Sequence, residues 1–165
     1  MKKKILIVVA LMIVCAQLYR PERNISATPA GEFDIAKKYP VPDNVQQILN
    51  VSCYDCHSNN TRYPWYVNIQ PIASFMANHV DEAKHELNFN EFTKRSVAVQ
   101  NHKLEEVVEM IKEGEMPLSS YTITHSDAHL TQEQKQTLIN WATSIMDTLK
   151  ATYPADSLVL KRKGS

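Results

Sequence analysis

A Cys-x-x-Cys-His run, Cys53-Tyr54-Asp55-Cys56-His57, constrains this chain more than any other feature. Any fold that carries it has to bring two thiols and an imidazole to one cofactor or metal. On a helical segment Cys53 and Cys56 stand three residues apart on one face, with His57 one turn on from Cys53. Both thiols can then form thioethers with the two vinyl groups of one porphyrin, while the imidazole reaches the iron as proximal axial ligand. The run therefore predicts a single covalent haem c attached through Cys53 and Cys56 and ligated by His57. Other chemistries fit these residues less completely. A zinc site needs a fourth ligand, and no second C-x-x-C supplies it. A thioredoxin-like pair needs a βαβ setting, whereas the flanks here read as helix. A disulfide across so short a loop would leave His57 without a role.

The N-terminus bears on where such a site would work. Lys2–Lys4 precede an uninterrupted apolar run from Ile5 to Ala16, the layout of a bacterial export signal. Residues 1–19 are read as a signal peptide or membrane anchor. The anchor is the favoured form, because Lys2–Lys4 and Tyr19 could sit at the two interfaces of a short span. Cys15 is no lipidation site on this reading, since bulky Val14 stands where a small residue is required. The expected address is the periplasm, with attachment to the cytoplasmic membrane. Residues 20–39 are polar and punctuated by Pro21, Pro29 and Gly31, and read as a linker.

The domain itself is expected over residues 40–153, with a flexible tail at 154–165. The chain has 165 residues and only 3 glycines, which suits one core and argues against a turn-rich barrel. Formal net charge is zero, so nucleic acid is not an expected partner. Asp43 with Gln46 looks like a capping box opening a helix whose apolar positions Val45, Ile48, Leu49 and Ser52 lead into Cys53 and Cys56. Pro71 suits the start of a second helix, bearing His79 on its apolar side. Asn90 could cap a short helix from Glu91. Leu104, Val107, Val108 and Ile111 mark another helix, over about Lys103 to Glu113, ending at Gly114. Thr131 and Gln134 open the last one, striped by Leu138, Trp141, Ala142, Ile145 and Leu149. The fold class expected is all-α, a cytochrome c-like helical domain wrapped around one haem.

An electron carrier needs a sixth iron ligand. Met116, in the Gly-x-Met-Pro stretch after the third long helix, is the candidate, and His79 is the runner-up. Trp65 and Tyr66 could cover a haem edge or pack in the core. If the sixth position is open, a haem-based sensor or a peroxidase-like enzyme is expected instead; a structural zinc module is the third reading.

These residues resemble the bacterial haem-binding domain family related to cytochrome c. The likeness runs from about Tyr39 to Met146 through Cys56-His57-Ser58-Asn59, Pro64-Trp65-Tyr66, His79-Val80, Leu87-Asn88-Phe89, Met116-Pro117, Tyr121 and Asn140-Trp141. It implies a helical, exported or membrane-anchored haem c domain, with Cys53 and Cys56 as attachment sites, His57 as proximal ligand and Met116 as the family's methionine. The chain departs from the pattern at Ala83-Lys84, where the family has Gly-Arg, and lysine cannot repeat a bidentate arginine contact to a haem propionate. Redox proteins are the partners expected of a single-electron carrier that is not itself a catalyst.

Overall fold

The computed structural model describes residues 2–160, so the basic tail expected at Lys161–Ser165 lies outside the described residues. Among them every regular element is helical: α1 (Lys2–Ala16), α2 (Ile35–Lys38), α3 (Asp43–Ser52), α4 (Tyr54–His57), α5 (Ile72–Glu86), α6 (Val97–Glu113), α7 (Ser119–Thr122) and α8 (Gln132–Thr152), with 3-10 turns at Trp65–Asn68, Phe89–Lys94, Ser126–Ala128 and Ala155–Leu158. One isolated bridge pairs Ile25 with Asn60. The all-helical expectation holds.

The core forms where α6 and α8 pack against each other and α3 packs on α8. Leu104, Leu138, Ile145 and Leu149 are fully buried there. Trp141 carries a polar edge into this core and satisfies it by donating its Nε1–H to the Pro40 carbonyl at 3.0 Å, as a buried indole must. Thr131 opens α8 with the reciprocal capping box that its sequence announces: its hydroxyl accepts from the Gln134 amide at 3.2 Å, and the Gln134 side chain accepts from the Thr131 amide at 2.9 Å. Gly114 closes α6 in the left-handed region, φ 76°, where a Cβ is strained.

Four local expectations are corrected. Asp43 is the first residue of α3, which follows Pro42 with no side-chain cap, and Gln46 bonds to Asn50 instead. Asn88, not Asn90, caps the turn from Phe89. α6 begins at Val97, six residues before Lys103, because Ser96 caps it; Gln100 and Asn101 are buried polar residues in its first turns and hide the apolar period. α3 also stops at Ser52 and a separate short turn carries the cysteines, with Cys53 at φ −130°, ψ −45° between them.

Two boundary readings change as well. Residues 20–39 are not merely a linker: Asp34 caps α2, and Ile35 and Tyr39 belong to the buried core, at 0 and 4 % exposed. Tyr39 is fixed there by donating its hydroxyl to Gln100 at 2.5 Å. Ile35→Ala should therefore destabilise the full chain by about 2–5 kcal/mol, the usual cost of emptying a buried aliphatic site. Urea denaturation checks this, and an unchanged midpoint would return Ile35 to a linker. At the other end, the turn Ala155–Leu158 packs on α6 and α8 rather than belonging to a free tail.

The expected anchor is also corrected. α1 is helical and has no buried residue, but its 15 residues give a rise of about 22 Å against the ~30 Å of a hydrocarbon core. No helix among the described residues is long and apolar enough to cross a membrane. The end of α1 is tied to the domain where Gln17 and Gln70 exchange side-chain and backbone hydrogen bonds.

Candidate haem site

A short turn does what a continuous helix was expected to do. The amides of Cys56 and His57 both donate to the Cys53 carbonyl, at 3.2 and 2.9 Å. This brings both sulfurs and the imidazole to the wall of one cavity of about 430 Å³, within the usual range for a cofactor site. Cys53, Cys56, His57, His79, Met116, Leu118, Tyr121, Leu130 and Leu138 are among its lining, which is mainly apolar. Three chain segments far apart in sequence thus converge: the cysteine turn, α5 with His79, and the Met116 loop after α6.

The imidazole is oriented by the backbone. His57 Nδ1 lies 2.9 Å from the Leu87 carbonyl, and a carbonyl can only accept, so Nδ1 carries the proton. Burial lowers the His57 pKa, which keeps the ring neutral. The remaining lone pair is on Nε2, where a proximal ligand needs it. Phe89 buttresses the ring edge-on at 6.4 Å between centroids and also touches Tyr54 and Trp141.

This geometry ties the Cys-His-Ser-Asn and Leu-Asn-Phe runs of this chain to each other. The Asn59 amide donates to Asn90 Oδ1 and Asn88 Nδ2 donates to Asn59 Oδ1, both at 2.8 Å. Asn90 Nδ2 in turn donates to Asp34 Oδ2 at 2.6 Å. These bonds tie Asn88 and Asn90 to the cysteine turn and to Asp34, beside the Leu87 carbonyl that orients His57.

The thiols are free. Enclosure by apolar neighbours pushes Cys53 up to about 12, and pushes Cys56 up to about 11 with the nearby Asp55 charge adding to it. Thiols held uncharged in this way are poor at thiolate coordination and disulfide exchange. His125 and His129 have H-x-x-x-H spacing, but His125 stacks on Tyr121 at 4.2 Å and His129 is exposed. No group of three or more His, Cys, Asp or Glu among the described residues is placed to hold a metal.

Met116 reaches the cavity because its loop starts from a fixed point. The amides of Glu115 and Met116 both donate to the Met110 carbonyl, at 3.0 and 3.3 Å, just past the Gly114 cap. His79 lines the same cavity with its Nδ1 turned to the Phe75 carbonyl at 2.8 Å. Trp65 and Tyr66 do not line it: Trp65 is 75 % exposed, and Tyr66 donates to Thr124 at 3.0 Å.

Other residues at the site had no role assigned from sequence. Lys103 is the one lysine or arginine in the lining among the described residues, its side chain only 12 % exposed, and it pairs with Glu86 at 2.8 Å and Glu106 at 2.7 Å. Lys84 is outside the lining and donates to Asn24 at 2.5 Å. Asp55, the second variable residue of the Cys-x-x-Cys-His run, is buried and forms an ion pair with Arg62 at 3.0 Å. Lys103 and Glu106 stand at i,i+3 on α6, a spacing the sequence does carry, whereas Glu86 and Asn24 are far in sequence from their lysine partners and Asp55 sits in a variable position.

An all-helical domain that converges two thiols, an oriented neutral imidazole and a thioether on one apolar cavity is of the haem-binding class. The haem-binding domain family model matches residues 11–144, and the chain belongs to that family. A search of curated proteins gave no match, and a search of solved structures gave none.

Proposed function

We propose that this haem-binding protein is a monohaem c-type electron carrier that works outside the cytoplasm. The observation that carries the reading is the convergence of Cys53, Cys56, His57 and Met116 on one cavity. Cys53 and Cys56 would hold the porphyrin covalently, His57 would ligate the iron through Nε2, and Met116 would supply the sixth ligand. Haem iron with two protein ligands supplies a single-electron couple whose potential a thioether raises. The chain's own part is to keep that couple dry, orient it and present it to redox partner proteins. Lys103, in the cavity lining, would be available to a propionate by exchanging one of its two glutamate partners. The apolar segment in α1 supports export, since its length fits an export signal.

The test is a haem stain on a denaturing gel, with a pyridine haemochrome spectrum, for the chain made in cells that mature c-type cytochromes. Covalent haem at one per chain is expected. A colourless protein, from a host that matures a control cytochrome, would overturn the reading. A second reading of the sixth ligand rests on the presence of His79 in the same lining. Rapid carbon monoxide binding by the unaltered reduced protein would favour an open-site sensor or enzyme over a carrier.

A further inference from the structure

Beyond the four haem residues, the Tyr121 hydroxyl joins the two halves of the site, with the Val51 carbonyl 3.3 Å away and Asp55 nearer. The Tyr121 hydroxyl donates to Asp55 Oδ2 at 2.7 Å. Asp55 stands between the two cysteines, and Tyr121 is in α7, the first regular element after Met116. The Asp55 carboxylate is itself immobilised: it accepts from the Arg62 amide at 3.1 Å and from two guanidinium nitrogens, Nε at 3.0 Å and Nη2 at 3.1 Å. Its backbone carbonyl accepts from the Thr61 hydroxyl at 2.6 Å. The Tyr121 ring lines the cavity and stacks on His125 with an interplanar angle of 16°.

We infer that Tyr121, acting through Asp55, is a positioning residue that holds the Met116 loop over the cysteine turn and so sets the strength of the sixth ligand. The geometry is that of a clamp with two ends. Upstream, Met116 is held by its hydrogen bond to the Met110 carbonyl at the end of α6. Downstream, the nearest attachment to the cysteine turn is the Tyr121 hydroxyl on Asp55. With both ends fixed, the intervening residues cannot swing the thioether away from the cavity. With Tyr121 released, the loop loses its bond to the cysteine turn and keeps its upstream bond to Met110 and the Tyr66–Thr124 bond beyond α7. Burial and the hydrogen bond to Asp55 both raise the Tyr121 pKa, so the hydroxyl stays a donor throughout the physiological range. A hydrogen bond from a neutral hydroxyl to a buried carboxylate belongs to the stronger, charge-assisted kind.

This inference rests on the haem reading and on Met116 as ligand, and its test separates the three. Tyr121→Phe and Asp55→Asn chains are made in a maturation-competent host, and covalent haem is counted first. Imidazole binding to the ferric iron is then followed by absorbance. Both variants should carry covalent haem; Tyr121→Phe, which loses the charge-assisted bond, should bind imidazole roughly tenfold or more faster than the unaltered chain, and Asp55→Asn, whose amide oxygen still accepts from the hydroxyl, should be accelerated less. Leu104→Ala, a core change outside the cavity lining, should lower thermal stability and leave imidazole binding as it was. Unaltered imidazole binding in Tyr121→Phe would overturn the clamp, and so would an equal acceleration in Leu104→Ala. An unaltered chain without covalent haem, or a Met116→Ala chain with an unaltered spectrum, would overturn the underlying reading in proteins whose clamp is intact.

Discussion

Replacing Cys53 and Cys56 together by alanine is expected to abolish covalent haem while leaving a folded helical domain. Both sulfurs line the cavity and neither makes a disulfide, so the change removes little packing. Losing two small, half-buried side chains beside a cavity costs less than emptying a packed core site, for which about 2–5 kcal/mol is usual. The turn is held by backbone bonds to the Cys53 carbonyl and by the Asp55 pairings, none of which needs a sulfur. Haem stain on a denaturing gel should fall to background in the double variant, with the far-ultraviolet circular dichroism of α6 and α8 retained. Each single variant should keep at most one thioether, visible as a shifted haemochrome band. Stain that persists in the double variant would remove the covalent assignment and with it the c-type reading. His57→Ala is a separate case, since it leaves both thiols in place and removes the proximal nitrogen.

The residues that were readable from sequence alone share a property: their chemistry is local. The α8 capping box spans Thr131 to Gln134, and Gly114 ends α6 by its own backbone freedom; the run Cys53 to His57 is likewise five consecutive residues, and the structure brings its thiols and imidazole to one cavity. The all-helical class followed from periods of the same short range. What escaped was long-range or polar. Ile35 and Tyr39 sit in a stretch whose prolines and polar residues outvote two buried side chains in any composition window. The first turns of α6 escaped because Gln100 and Asn101 are buried where the apolar period expects hydrocarbon. The Asp55–Arg62–Tyr121 connection escaped because Asp55 and Tyr121 are 66 positions apart. Trp65 misled in the opposite direction, as an aromatic in a motif that is nonetheless mostly exposed.

Met116→Ala should leave covalent haem intact and change the iron instead. The variant removes a thioether from a loop that the Gly114 cap and the Met110 carbonyl continue to hold, so no other side chain is carried into its place by collapse. The absorbance of the oxidised protein should shift from low-spin to high-spin, and the reduced protein should gain rapid carbon monoxide binding. The reduction potential should fall, because the thioether that favours the reduced iron is gone. His79 is the residue that could mask this result, since it lines the same cavity with a ring nitrogen free of its bond to Phe75. A low-spin spectrum that survives Met116→Ala but is lost in His79→Ala would assign the sixth position to the imidazole. A Met116→Ala, His79→Ala chain completes the test, because with both side chains removed neither can ligate the iron. If that double variant stays low-spin, the ligand is a group outside this pair and the convergence of Met116 on the cavity serves packing alone.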